Sequence, residues 1–162
     1  MKRLDLEAAR PVAFHFLGYA ARTKAEIVQR LARDEFPEGI IATVVAELEA
    51  AGHLNDEEFA RHWLEDRADR KGYGKVRLRA ELRRKGVDKE TAMEALETIA
   101  DDDEFRRALG AAEGKWSSED LRKLDYASLM KEKNRIFGFL ARRGFSHQTI
   151  KKVLDGLMEN SE

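Results

Sequence analysis

KVRLRAELRRKGVDKETAMEALETI, residues 75–99, is the stretch that decides the fold. Leu78 and Leu82 fall on one helical face, Gly86 stops that helix, and Asp88 can cap the next. The apolar positions of this next helix are Ala92, Ala95, Leu96 and Ile99. The same spacing recurs on either side. Leu31 is followed by Ile41, Val44, Val45 and Leu48, and Leu140 by Ile150, Val153, Leu154 and Leu157, each set ten to seventeen residues downstream. Three gapless copies of one helical pattern predict a modular array and argue against a globule built around one pocket.

Composition supports this. Charged residues make up 38% of the 162 and only two prolines occur, as expected for exposed helices with narrow apolar stripes. Thirty basic and thirty-one acidic side chains nearly cancel, so net charge says nothing about partners. The absence of cysteine excludes disulfides, thiolate metal sites and thiol nucleophiles, and is compatible with a reducing cytoplasm. No apolar run is long enough for a membrane span or a signal peptide, since His15 and the arginines at 10 and 22 interrupt or bound the segment from Val12 to Ala21. A soluble, cytoplasmic protein is expected.

Outward from the middle copy, helical periodicity continues and strand-like alternation is absent. A first helix is expected near residues 10 to 21, started by Pro11, whose missing N–H costs little there. Thr23 and Glu26 form a capping box for a second helix through about Glu35. Pro37 and Gly52 frame a third. Asn55 or Asp56 can cap a helix carrying Phe59, Ala60, Trp63 and Leu64, which Gly72 and Gly74 break. The run Asp101 to Glu104 opens the last copy, with its carboxylates complementing a helix dipole. An irregular insertion near 110–118 follows, then helices from Tyr126 to Arg143 and from His147 to Met158. The fold class expected is all-α: an elongated tandem array of three three-helix repeats at residues 1–54, 55–100 and 101–162.

Charge is arranged in blocks. Asp34 to Ala60 holds eight acidic residues and no Lys or Arg, whereas Arg61 to Lys85 holds ten basic residues against four acidic. Such blocks give a protein two kinds of face. With Leu78 and Leu82 inward, Arg79 and Arg83 stack on one flank of the helix, and Arg77 and Arg84 on the other. Arg70, Lys71 and Lys75 add charge at the adjoining turn, with Tyr73 between two glycines. Guanidinium rows suit phosphates or acidic protein surfaces; a solvated face balanced by the acidic blocks is the plainer alternative. Arg142 and Arg143 form a second cluster, partly explained as cations in a last helical turn. Arg67 lies in the apolar arc of Phe59, Trp63 and Leu64, where a charge needs a partner or must snorkel outward, and a structural salt bridge is the role expected. Trp116 is open to two readings, as a contact residue or as a local clamp. No catalytic constellation, cofactor motif or metal spacing is found: the histidines at 15, 53, 62 and 147 are scattered, and Gly72, Gly74 and Lys75 lack the strand and spacing of a phosphate loop.

The segment Leu54-Asn55-Asp56-Glu57-Glu58-Phe59-Ala60, then Arg67, Gly72-Tyr73-Gly74 and Glu81-Leu82-Arg83-Arg84-Lys85-Gly86-Val87 resembles the middle repeat of the RecX family of recombination regulators. Lys24-Ala25-Glu26-Ile27 and Arg142-Arg143-Gly144-Phe145 extend the resemblance over nearly the whole chain. Two departures stand out: Glu35 occupies the place of a glycine, leaving the first copy free to turn differently, and the Trp116 insertion is less family-like. The resemblance implies a monomeric, non-enzymatic regulator. It would bind the RecA–DNA filament and mostly inhibit RecA's ATPase, strand-exchange and coprotease activities. The contact residues expected are Arg70, Lys71, Lys75, Arg77, Arg79, Arg83 and Arg84, with Arg142 and Arg143 secondary. The alternative is a helical module that binds single- or double-stranded DNA without RecA, with no membrane partner in either case.

Overall fold

The computed structural model describes residues 1–159, and within them the chain is helical with no strand. The helices are α1 (Leu6–Tyr19), α2 (Lys24–Arg33), α3 (Glu38–Ala50), α4 (Asp56–Leu64), α5 (Lys75–Arg84), α6 (Lys89–Glu97), α7 (Asp101–Glu113), α8 (Ser118–Arg122), α9 (Tyr126–Arg142) and α10 (His147–Glu159). A π-helical turn, Glu65–Arg70, continues α4 toward Gly72. No described helix is long and apolar enough to cross a membrane. The expected end of the third repeat at residue 162 lies outside the described residues.

Contacts divide the chain into two compact units, one of Met1–Trp63 with Glu81–Met93, the other of Leu64–Ala80 with residues from Glu94 onward. Residues 55–100 are therefore shared between them. In the first unit α1, α2 and α3 enclose a core of Ala9, Ala13, Ile27, Leu31, Phe36, Ile41, Val44, Leu48 and Leu54. The second unit has the matching core of α7 to α10, including Ala108, Ile136, Leu140, Phe145, Ile150, Val153 and Leu157. The outer apolar sets thus become core positions, and in the middle set Leu82, Ala92 and Leu96 are buried, each fully buried Leu or Ile contributing about 1.5–3 kcal/mol.

The repeat extends to backbone detail. Phe36 N–H donates to the Leu31 carbonyl (3.1 Å), Val87 to Leu82 (3.1 Å) and Phe145 to Leu140 (3.2 Å), the closing bond of the same helix-ending turn three times over. The residue before each donor takes a left-handed conformation: φ is +82° at Gly86, +90° at Gly144 and +70° at Glu35. The first copy therefore does not turn differently. Glu35 makes the glycine's turn at a strain of about 1–2 kcal/mol, and as an exposed residue it has room for its side chain.

Three local expectations are corrected. α1 begins at Leu6, capped by Asp5, whose side chain accepts from Ala8 N–H, and Pro11 lies inside it. Pro11 sits on the exposed side of α1, so the Glu7 carbonyl that loses its intrahelical donor is near solvent. The insertion near 110–118 is not irregular: α7 runs through Gly110 to Glu113, a short connection follows, and α8 starts at a Ser117 cap. The third copy consequently has four helices. The acidic run does more than oppose a dipole, because Glu104 is buried and bonded to another element.

Glu35→Gly should stabilise the protein by up to about 1 kcal/mol, since it removes left-handed strain at an open site. Gly86→Ala should cost more than about 2 kcal/mol, because its new Cβ would overlap the Ala25 side chain in addition to the strained φ. Urea midpoints of the two variants check both signs.

Candidate cationic groove

The groove is assembled by a joint between two helix ends. At the start of α5, Gly74 N–H donates to the Arg143 carbonyl (2.9 Å) and Val76 N–H to the Gly144 carbonyl (3.0 Å). Between them, Lys75 N–H donates to Glu104 Oε1 (2.8 Å), while Lys75 Nζ pairs with Asp101 (3.0 Å). The amides left over at one helix N-terminus thus receive the carbonyls left over at another's C-terminus, and the two dipole ends are of opposite sign. Such an approach needs glycines. A Cβ on Gly74 would lie 2.5 Å from the Gly144 carbonyl oxygen, and one on Gly144 would run into Arg77.

The first unit contains the same device. Thr23, fully buried, donates its hydroxyl to the Lys85 carbonyl at the end of α5. Lys24 N–H donates to Asp56 Oδ1 (3.0 Å), and Lys24 Nζ pairs with Glu49 (2.9 Å). Trp63 reinforces this unit, stacked on Phe59 with its indole N–H on Glu81 (2.8 Å) and with Lys85 Nζ 5.2 Å from its ring centroid. Each joint therefore has a lysine at the first helical position. Its N–H goes to an early carboxylate of the next copy's first helix, Asp56 or Glu104.

In the second unit the joint brings together cations far apart in sequence. Lys71, Tyr73, Arg77, Phe139, Arg142 and Arg143 line a shallow groove of about 490 Å³. Arg77 lies flat over Tyr73, 3.6 Å from the ring centroid, and Arg143 sits 4.9 Å from that of Phe139. Arg143 also donates to the Lys71 carbonyl (3.3 Å). Among the described residues, Lys71, Arg142 and Arg143 pair with no carboxylate. Aromatic faces hold two of the guanidiniums in place while leaving edges for oxygen ligands.

Four of the nine expected contact residues therefore meet: Lys71, Arg77, Arg142 and Arg143. Arg79 is exposed in the same unit, and Arg83 and Arg84 are exposed in the other. Arg70 is held 3.5 Å from Asp66, and Lys75 is committed to Asp101. Arg67 lies 3.8 Å from Asp66, a loose form of the salt bridge expected of it. Phe139 was not foreseen. Its one signal is a large aromatic beside Leu140 and off the apolar stripe. No group of His, Asp and Glu among the described residues is placed to hold a metal.

Titration distinguishes the two joints. The Lys75 hydrogen bond holds the Asp101 carboxyl below its ordinary value, whereas burial pushes Asp56 above its own despite the Lys24 N–H. Asp101 therefore contributes stability that is present above the unfolded carboxylate range near pH 4 and lost as pH falls through its depressed pKa. Asp56 contributes in the opposite sense, with stability lost as pH rises through its raised pKa. Urea midpoints between pH 3 and 7 should show Asp101→Asn losing stability relative to the parent as pH rises through the carboxylate range. Asp56→Asn should gain relative to the parent over the same range.

Models of the first, second and third three-helix domains of RecX match residues 9–48, 55–96 and 101–154. Relatives described as "Regulatory protein RecX" include one from Amycolatopsis mediterranei, 36% identical, with the match covering 85% of this chain and 75% of the relative. Another, from Mycolicibacterium vanbaalenii, is 36% identical over 95% of this chain and 84% of its own. The fold is that of a RecX crystal structure from Lactobacillus salivarius, with a TM-score of 0.82 at 22% identity over 94% of this chain and 96% of that one. A further crystal structure of regulatory protein RecX superposes with a TM-score of 0.76, covering 93% of this chain and 73% of that one.

Proposed function

Because the chain belongs to the RecX family, we propose that it is a non-catalytic regulator that binds the RecA–DNA filament. There it mostly inhibits RecA's ATPase, strand-exchange and coprotease activities, acting as a cytoplasmic monomer of three repeats. The observation that carries the reading is the cationic groove that residues of the second and third domain matches line together within one unit. A filament presents acidic protein surface and DNA phosphates, and Arg forks on aromatic supports bind oxygens of either kind. Lys71, Arg77, Arg142 and Arg143 form the central contact. The exposed Arg79 adds to it, Arg83 and Arg84 are further exposed contacts on the first unit, and Arg70 and Lys75 add charge from within their ion pairs.

Titrating the protein into RecA hydrolysing ATP on single-stranded DNA tests this. Turnover should fall to a plateau well below the uninhibited rate, and unchanged ATPase and strand exchange at saturation would overturn the reading. The double variant Lys71→Glu, Arg142→Glu changes two exposed side chains without carboxylate partners. It should keep its helical signal and melting temperature while the half-inhibitory concentration rises at least about tenfold, a loss of about 1.4 kcal/mol.

A further inference from the structure

Two joints link the three copies, and the positions that form them recur where no further copy is joined. On the accepting side, the carbonyl before the left-handed residue takes a donor each time. Arg143 takes the Gly74 N–H and Lys85 the Thr23 hydroxyl. The equivalent carbonyl of the first copy, Asp34, takes the Lys2 ammonium instead (2.9 Å). The early carboxylates behave alike. Glu104 and Asp56 accept the lysine N–H of the neighbouring copy, whereas Asp5 and Glu7 at the start of α1 both accept the Arg3 guanidinium (2.8 and 3.0 Å). Lys2 and Arg3 thus give the first copy the donors that a neighbouring helix start gives the others. Glu35 adds a steric block. A bare Cβ on Gly86 or Gly144 already strikes the helix start docked beside it, and Glu35 carries a whole side chain at that place.

The donating side is closed differently. Lys24 and Lys75 stand seven residues before Leu31 and Leu82 and open their helices. Lys133 stands seven before Leu140, but inside α9, which has 17 residues where α2 and α5 have 10 each. The amides that would receive a helix end are therefore spent within the helix, and about two more turns of α9 fill the space ahead of them. Glu132, at the place of Thr23 and Gly74, accepts the Trp116 indole N–H (2.8 Å), and Trp116 meets Phe139 edge-on with centroids 5.4 Å apart. Trp116 thereby clamps the connection before α8 onto α9 at the point where a joint would form.

We infer that both outer copies are capped so that a second copy of this chain cannot join head-to-tail. The caps are Lys2, Arg3 and Glu35 on the first copy, and on the third the α9 extension clamped by Trp116. A joint pairs different surfaces on its two sides, so uncapped chains would add to one another without closing, as open fibres do. Terminal repeats that differ from inner ones serve this purpose in helical arrays. Such capping rests on the monomer of three repeats proposed above and needs no RecA.

Analytical sedimentation of full-chain variants tests it. One variant opens the first copy: Lys2→Ala, Arg3→Ala, Glu35→Gly. Another opens the third: Lys131→Pro, Glu132→Gly, the proline breaking the turns before Lys133 and the glycine supplying the residue type of Gly74. Glu132→Gly alone costs about 1 kcal/mol and decides the matter if the proline unfolds α9, as circular dichroism reports. The parent and each variant alone should sediment as one chain of 18.5 kDa. Mixing a first-copy variant with a third-copy variant should raise the mass toward twice that value. Retaining Glu35 in the first-copy variant should weaken this pairing at least about tenfold. Mixtures of folded variants that stay at one chain's mass, a variant that assembles by itself, or a parent that forms chains would each overturn the inference. RecA is absent throughout, so an overturned cap is distinct from a failed ATPase assay.

Discussion

The helix-end joint is the interaction on which the rest of this molecule depends. A helix terminus buried without partners would strand amides or carbonyls at about 1–3 kcal/mol each. Here Gly74, Lys75 and Val76 donate their N–H groups to Arg143, Glu104 and Gly144, while Thr23 donates its hydroxyl to the Lys85 carbonyl and Lys24 its N–H to Asp56. Opposed dipole ends add attraction, and the carboxylates accept with the extra strength of a charged partner. Glycine at 74, 86 and 144 follows from this closeness, because a methyl group at any of them would strike the neighbouring element. Glu35 makes the same turn where a side chain has room.

The joint also has an electrostatic consequence. It holds Lys71 and Arg77 beside Arg142 and Arg143, although they lie 65 to 72 residues apart in the pairs that touch. Like charges so gathered repel, and three features offset this: the C-terminal dipole of α9, the Tyr73 and Phe139 faces, and water at an open groove. What remains is a positive surface in which Lys71, Arg142 and Arg143 pair with no carboxylate among the described residues. Polyanions relieve that repulsion, which makes the groove the part of the second unit most ready to bind one.

Much of the fold was legible because it rests on local rules. Apolar spacing after Leu31, Leu82 and Leu140, the Thr23 capping box and the glycines that end helices all act within a few residues. The family, too, was legible, since the glycines of the joints and the Asp56 carboxylate are among the residues its motif records. Pro11 misled because proline most often starts a helix, while the actual cap, Asp5, precedes a weakly patterned stretch. The continuity of α7 was hidden by Gly110 and Gly114, though Ala108 and Ala112 hold that helix to the core. The candidate site was half legible. Both arginine clusters stood out, but their meeting depends on hydrogen bonds that no local pattern encodes, and Glu104 reads as one more acid in a run until its distant partner, Lys75 N–H, is known.

The joint between α5 and α9 is tested most directly by amide hydrogen exchange at Gly74 and Val76. Ordinary first-turn amides of a helix have no internal partner and exchange readily. If the joint is as described, both amides exchange only through the opening that also exposes the buried helices α9 and α10, with protection factors matching those of Ile136 and Val153. Exchange at the rate of an open helix terminus, with the α9 and α10 core still protected, would contradict the account.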